Sequence, residues 1–264
     1  MTFQRHEVNL ERGVVNYYKD GSGRPLLYLH SGEGLLETKP LQSLAKQFEV
    51  FIPLIPGYGQ APNVEGVSSV PDLAELWSQF IDEAIGESLV DVVGNSLGGY
   101  VASWLAANYP EKIDQLVLIG PYGLNSLGAE ELSEHPEKRV KEVYKYPNKL
   151  TDIQLLEASV PTILSPSYSN AHFDQELLDK MKGVDKLTLV LLGTDDAIVM
   201  PQVGHLLKEK MPRAHFIYVY DAGHGIEIDQ PERVATVLTD FLSRGEAFIV
   251  NWGGRAEEEA PVRE

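Results

Sequence analysis

A serine, a histidine and a pair of aspartates stand in loops, with the residue types and chain order needed for nucleophilic catalysis. Ser96 is at the centre of the sequence Gly-Asn-Ser-Leu-Gly at 94–98, which follows an apolar run and precedes a stretch with helical spacing. In such a strand–turn–helix, a serine hydroxyl projects above the edge of a sheet, where a base can activate it. The pattern therefore predicts that Ser96 is the nucleophile of an acyl-transfer reaction.

Two glycines beside Ser96 fit the same interpretation. Gly94 and Gly98 stand two positions before and after it, where a side chain would collide with the neighbouring strand or helix. The start of the following helix would also offer N–H groups to a developing oxyanion. A glycine-rich turn that carries an ordinary serine is the alternative, and the five residues alone do not separate the two.

His224 is the histidine best placed to act as the base. It follows the predicted strand from His215 to Tyr220, and the glycines at 223 and 225 leave its ring free to turn inward. The other six histidines fall in predicted strands, a helix or the proposed cap, or come too early in the chain. In a strand–turn–helix hydrolase the chain order is serine, acid, histidine, and His224 satisfies that order.

The acid is expected in the loop after the predicted strand from Leu187 to Leu192. Asp195 and Asp196 both follow the glycine that ends this strand. Loops at the carboxyl edge of a parallel sheet are where ligand chemistry is found in open α/β folds. Both aspartates are candidates on this ground, and capping of the next helix is the alternative role for each.

Backbone donors for a negatively charged oxygen are expected at two places. One is the N–H of Leu97, directly after the nucleophile, and the other is the N–H of Gly32, in the loop after the predicted strand from Leu26 to Leu29. Glu33 is unusual there, because its charge opposes the charge being stabilised. We expect Glu33 either to point to solvent or to bind a cationic or hydroxylated part of a substrate. Tyr122 is a candidate for lining the substrate pocket.

The elements that must position these residues alternate between strand and helix along most of the chain. This alternation predicts an α/β fold with a mostly parallel central sheet and helices on both faces. It breaks at about 121–184, a polar and helix-prone stretch interrupted by prolines. We therefore predict a core formed by 1–120 and 185–250, an inserted helical cap at 121–184, and a flexible acidic tail at 251–264.

Composition excludes several classes of function. The formal net charge of −17 disfavours nucleic acid and anionic membrane surfaces as partners. The absence of cysteine excludes disulfides, thiolate metal sites and a cysteine nucleophile. The polar run at 1–7 does not resemble a signal peptide, and no stretch has the length of a membrane span, so a cytoplasmic protein is expected. We expect a small-molecule substrate and no metal or organic cofactor; a homo-oligomer stays open.

Taken together, these motifs resemble the α/β-hydrolase superfamily from about Val14 to Phe241. The resemblance implies that the acid is the aspartate three positions after Gly193, which is Asp196. Members of this superfamily that cleave haloalkanes or epoxides carry aspartate at the elbow, which disfavours those branches here. Three residues depart from the family pattern: Ser31, Glu33 and Gly225.

The resemblance implies a serine hydrolase that cleaves a small carboxylic ester or lactone through an acyl-enzyme. With Asn95 directly before the nucleophile, the elbow resembles that of the carbon–carbon hydrolases that cleave ring-fission products. This branch is the alternative. Their glycine-rich oxyanion loop is only partly matched by residues 31–34. A ligand receptor that retains the triad but hardly turns over is the third hypothesis.

Overall fold

The computed structural model of the protein describes residues 3–124, 136–158 and 173–250. The strands within these ranges are β1 (Gln4–Leu10), β2 (Gly13–Gly21), β3 (Arg24–Leu29), β4 (Gly34–Leu36), β5 (Phe48–Pro53), β6 (Val90–Asn95), β7 (Ile113–Ile119), β8 (Leu155–Ala158), β9 (Leu187–Gly193) and β10 (Ala214–Val219). The α-helices are α1 (Lys39–Ala45), α2 (Val70–Phe80), α3 (Leu97–Asn108), α4 (Pro136–Val143), α5 (Gln175–Met181), α6 (Val203–Lys210), α7 (Ile226–Asp229) and α8 (Pro231–Arg244).

One sheet of eight strands organises the described chain, in the order β1-β2-β5-β3-β6-β7-β9-β10. β1 and β2 form an antiparallel hairpin, β2 pairs antiparallel with β5, and every later pairing in this sheet is parallel. The prediction of a mostly parallel sheet in an α/β fold is confirmed. Because β3, β6, β7 and β9 all run in one direction, the loops after them meet at one edge.

The central strands are apolar because helices cover both faces of the sheet. Every residue of β9 is buried, and β7 exposes only Asp114. α2 packs against α3, and α1 packs against α8. α2 begins where the Ser69 hydroxyl accepts a hydrogen bond from the N–H of Asp72, with a proline in its first turn. Strands buried on two faces read as continuous apolar runs, which explains why the sequence predicted them well.

Two short strands were not predicted. β4 and β8 pair antiparallel in a separate two-stranded sheet, which joins the loop after β3 to the predicted cap. Segments of three and four residues are too short to show the alternation by which strands are recognised in a sequence. Near the C-terminus, residues 246–250 are helical, and the ring of Phe248 packs edge-on against that of Phe241 at 5.7 Å.

The described residues of the insert contain more than helices. Besides α4 they form a 3₁₀ turn at Pro147–Asp152 and the strand β8, and α5 packs on α3 of the core. The division at 121 and 184 stays a prediction, and the predicted flexible tail at 251–264 lies outside the described residues. Within the ranges that the structure describes, no helix combines the length and the apolar character needed to cross a membrane.

Candidate active site

Ser96 occupies a strained turn between β6 and α3. Its φ and ψ are 54° and −112°, a left-handed conformation that residues with a side chain seldom adopt. The turn is possible only because of its flanking glycines. A Cβ on Gly94 would lie 2.4 Å from the carbonyl oxygen of Gly98, and one on Gly98 would lie 2.0 Å from that of Leu29. Close packing of strand and helix therefore holds the serine hydroxyl above the sheet edge.

The structure brings Ser96, His224 and Asp196 together in one hydrogen-bonded row. His224 Nε2 lies 2.8 Å from Ser96 Oγ, and His224 Nδ1 lies 2.9 Å from Asp196 Oδ2. All three residues are buried. This is the geometry in which a histidine takes a proton from a serine while an acid orients the ring.

The two aspartates of the loop after β9 have different surroundings. Asp196 Oδ1 accepts hydrogen bonds from the N–H groups of Ile198 (2.8 Å) and Val199 (2.9 Å), which leaves Oδ2 facing His224. The Asp195 side chain is 49% exposed and forms an ion pair with Lys145. The aspartate that the structure places beside the histidine is therefore Asp196, and Asp195 lies outside the row.

The position of His224 depends on a glycine that the sequence did not indicate. Gly120, at the end of β7, has a φ of 47°, and a Cβ there would lie 3.2 Å from His224 Cε1. Burial lowers the pKa of His224, but the charge of Asp196 and its hydrogen bond outweigh burial and raise that pKa above 6.5. The environment thus favours the imidazolium that forms when the ring accepts a proton.

The two candidate oxyanion donors lie on neighbouring segments. β3 and β6 pair in parallel with Leu29 opposite Gly94, so the loops that follow them lie side by side. Leu97 is the first residue of α3, and its N–H has no partner carbonyl within that helix. Gly32 is buried in the turn after β3. The roles of both N–H groups stay predictions.

Glu33 has a partner from the insert. Its Oε1 accepts a hydrogen bond from Nε of Arg139, on α4, at 2.9 Å, and Nη2 of the same guanidinium makes a second contact. The side chains are 20% and 13% exposed. The charge that was expected to oppose an oxyanion is therefore compensated by a cation.

Tyr122 supports the elbow through its backbone. Its N–H donates a hydrogen bond to the carbonyl oxygen of Ser96 at 3.1 Å, and its side chain is buried. Among the described residues, it does not belong to the wall of the cavity beside His224. A contact between Tyr122 and substrate stays a prediction.

A small polar cavity of about 40 Å³ adjoins His224. Its polar side chains come from the strand ends, the loop after β3, the insert and α7: Tyr28, His30, Ser31, Glu33, Thr38, Asn95, Tyr144, His224 and Glu227. A cavity of this size has room for roughly two to four water molecules. The candidate site is thus small and rich in hydrogen-bonding groups.

Glu227 is the buried carboxyl of this cavity. Its Oε2 accepts hydrogen bonds from the hydroxyl of Tyr28 (2.7 Å) and the side-chain amide of Asn95 (2.6 Å). Burial raises the pKa of Glu227, against the hydrogen bonds from Tyr28 and Asn95, which favour the ionised form. The sequence did not predict a role for Glu227. The one indication in the sequence is that Glu227 stands between two isoleucines, where a charged side chain is unexpected.

His30 is neutral and structural. Its Nε2 accepts a hydrogen bond from the N–H of Ile55, so Nδ1 carries the proton and donates it to the carbonyl oxygen of Ser31 at 2.8 Å. Burial lowers the pKa of His30 to about 4. Its ring packs on that of Tyr58 with centroids 4.3 Å apart. His30 therefore holds the loop after β3.

Gly225 makes room for a tyrosine of the insert. A Cβ on Gly225 would lie 2.2 Å from Cδ1 of Tyr144. The N–H of Gly225 also donates a hydrogen bond to the carbonyl oxygen of Val143 at 2.8 Å. The departure from the family pattern after the histidine is thus explained, because the Tyr144 ring fills the space that a larger residue would occupy.

Asp229 ties the insert to the histidine loop. Its carboxylate accepts hydrogen bonds from the N–H groups of Lys145 (3.0 Å), Tyr146 (2.8 Å) and Gly223 (2.8 Å). Gly223 directly precedes His224, and Asp229 is completely buried. One carboxylate therefore joins the end of α4 to the segment that carries the candidate base.

Comparison with known proteins agrees with this architecture. A family model described as the alpha/beta hydrolase fold matches residues 24–159. The 2-hydroxymuconate semialdehyde hydrolase of Pseudomonas sp. (strain CF600) is 26% identical, over 90% of this chain and 93% of that protein. Lipase 1 of Psychrobacter immobilis is 27% identical, over 88% of this chain and 81% of that protein.

A solved structure gives the same picture of the fold. The meta-cleavage product hydrolase of Pseudomonas fluorescens IP01 superposes with a TM-score of 0.75 at 20% identity. The superposition covers 90% of this chain and 97% of the other. At this identity the likeness concerns the fold and leaves the substrate open.

Proposed function

Because the chain belongs to the family with the alpha/beta hydrolase fold, we propose that it is a serine hydrolase that cleaves a small carboxylic ester or lactone through an acyl-enzyme. The observation that carries this proposal is the row of two hydrogen bonds from Ser96 Oγ through His224 to Asp196, 2.8 Å and 2.9 Å long. Hydrolysis as the class of reaction is supported by its relatives, which are named as hydrolases and lipases.

In the proposed mechanism, Ser96 Oγ attacks the carbonyl carbon while His224 Nε2 takes its proton. Asp196 stabilises the imidazolium, and the N–H groups of Leu97 and Gly32 donate to the oxyanion. His224 then gives its proton to the leaving alcohol as the carbon–oxygen bond breaks. A water molecule, deprotonated by His224, attacks the acyl-enzyme and frees the acid and the Ser96 hydroxyl.

Cleavage of a carbon–carbon bond in a ring-fission product is the second candidate. It is favoured by relatives named for such reactions, among them a 2-hydroxy-6-oxo-2,4-heptadienoate hydrolase of Pseudomonas putida. Asn95, before the nucleophile, supports the same branch. Against it stands the charge of the site, because a dienoate brings a carboxylate to a cavity that already holds the buried carboxyl of Glu227.

Turnover of two substrate types separates the candidates. We expect hydrolysis of p-nitrophenyl esters with short acyl chains by the wild-type protein, and none by Ser96→Ala. Release of product from 2-hydroxy-6-oxo-2,4-heptadienoate without ester turnover would favour the second candidate and contradict the first. A serine that reacts with a fluorophosphonate while both substrates stay intact would point to the ligand receptor.

A further inference from the structure

Among the described residues, Glu227 brings to the cavity beside His224 a carboxyl oxygen whose hydrogen-bonding capacity is unused. Oε2 of Glu227 accepts from Tyr28 and Asn95, but Oε1 is buried without a hydrogen-bond partner in the described part of the chain. The hydroxyl of Thr38 lies near enough to favour the ionised form, yet makes no hydrogen bond to Oε1. The Glu227 residue as a whole is only 4% exposed.

A buried acceptor without a partner costs free energy, so such atoms are usually paired. The described residues offer Glu227 no cation: the one guanidinium near the cavity, that of Arg139, pairs with Glu33. The atom that satisfies Oε1 must therefore come from outside the chain, and it must be a hydrogen-bond donor.

The size and charge of the cavity limit what that donor is. A volume of about 40 Å³ admits only a small group. An ammonium group brings three N–H donors, each of which needs an acceptor, whereas a hydroxyl donates once. An anion would meet the carboxyl of Glu227, beside which the described residues place no cation. A neutral hydroxyl fits the unpaired Oε1 of Glu227 best.

We propose that Glu227 is a specificity-determining residue, whose Oε1 accepts a hydrogen bond from a hydroxyl group of the substrate. This inference rests on the proposed function, because it assigns a substrate class to the same site: small hydroxylated esters. Tyr28 and Asn95 act as positioning residues, since their hydrogen bonds to Oε2 hold the carboxyl with Oε1 free. Because Asn95 directly precedes the nucleophile, the proposed subsite is connected to the elbow through neighbouring residues of the chain.

The test compares methyl 3-hydroxybutanoate with methyl 3-oxobutanoate, which has nearly the same size but offers only acceptors at that carbon. Methyl 2-hydroxybutanoate places the hydroxyl at another carbon of the acyl group, and 2-hydroxyethyl butanoate places it on the alcohol group. Methyl butanoate, which has no hydroxyl, is the reference. We expect the wild-type protein to prefer at least one hydroxylated ester over the reference and over the oxo ester, by about 10-fold in kcat/KM.

The variant is Glu227→Gln. Its amide oxygen still accepts from Tyr28 and Asn95, while its NH₂ replaces the free acceptor by a donor. We expect the preference for the hydroxylated over the oxo ester to fall by about 10-fold or to reverse, with a smaller change on methyl butanoate. Glu157→Gln is the matched control. Glu157 is also buried but accepts from Tyr18 outside the cavity, so the preference should stay as in the wild type.

The outcomes distinguish the two proposals. Hydrolysis of methyl butanoate with an unchanged preference in Glu227→Gln would overturn the role of Glu227 and leave the esterase intact. A wild-type preference for the oxo ester or for methyl butanoate would overturn the hydroxyl subsite even if the variant failed to fold. Failure of the wild-type protein to hydrolyse any of these esters would overturn both proposals.

Discussion

At the residue scale, two adjacent aspartates provide an internal control. Asp196 contacts His224 and is buried, whereas Asp195 contacts Lys145 and is half exposed. We expect Asp196→Asn to lower kcat by roughly 10³- to 10⁴-fold, because an amide neither stabilises the imidazolium nor holds the reactive tautomer. Asp195→Asn should change kcat by less than about 3-fold, as expected for an exposed ion pair. A larger loss from Asp195→Asn, measured with the same ester, would contradict this assignment.

The pH dependence of the reaction follows from the same histidine. In the proposed mechanism His224 must be neutral to take the serine proton, and its pKa lies above 6.5 because the charge and hydrogen bond of Asp196 outweigh burial. Protonation below that pKa removes the base, so kcat/KM should rise with pH through a midpoint above 6.5. Glu33 also raises this pKa, while Arg139 lowers it. A profile of kcat/KM against pH with its midpoint below 6.5 would show that burial affects the pKa of His224 more than Asp196 does.

The site was predictable from the sequence where one residue type sits in a distinctive local setting. Ser96 and His224 are of this kind, and the choice of Asp196 over Asp195 needed the resemblance to a family. Glu227 was not predictable, because its partners Tyr28 and Asn95 are 199 and 132 positions away in the chain. Hydrogen bonds over such separations depend on the sheet order, which local patterns do not encode.

At the scale of elements, the insert and the histidine loop are built to fit each other. The Tyr144 ring, just after α4, occupies the place of a side chain at 225. We expect Gly225→Ala to lower the melting temperature and kcat/KM, because its Cβ would force the Tyr144 ring out of its place against Gly225 in the wall of the cavity. The cost should be about 1–3 kcal/mol, typical of overpacking.

A double-mutant cycle tests this fit. In a Tyr144→Ala background the added methyl group has free space, so Gly225→Ala should cost much less there than in the wild type. Thermal unfolding of the four proteins gives the coupling energy. Equal costs of Gly225→Ala in both backgrounds would mean that the ring does not fill this space.

The elements themselves differed in how well the sequence predicted them. The buried parallel strands and amphipathic α2 and α8 are long enough to show their periodicity. β4 and β8 are not, and pairing between them depends on a contact between the loop after β3 and the insert. What decides such short elements is tertiary pairing, so a single sequence shows no sign of them.

At the scale of the whole molecule, a buried acid lies at the start of β6, away from the elbow. Asp91 is completely buried beside the guanidinium of Arg24, and burial raises its pKa to about 7. The folded protein therefore holds a proton that the unfolded chain loses near pH 3.8. Stability should fall as pH rises from about 4 to 7, by up to roughly 4 kcal/mol.

Asp91→Asn tests this linkage, because asparagine keeps an acceptor and does not ionise. We expect the melting temperature of the variant, relative to the wild type, to rise between pH 5 and pH 8. Repulsion from the net charge of −17 acts on both proteins and largely cancels in the comparison. If the difference in melting temperature between Asp91→Asn and the wild type is the same at both pH values, the raised pKa of Asp91 is contradicted.

Ser96 is the proposed nucleophile, and peptide mapping after reaction with a fluorophosphonate shows which residue reacts. We expect one phosphonyl group on the peptide that contains Ser96, formed rapidly in the wild-type protein, slowly in Asp196→Asn and not at all in Ser96→Ala. A folded wild-type protein that stays unlabelled, or a label on any other residue, would contradict it.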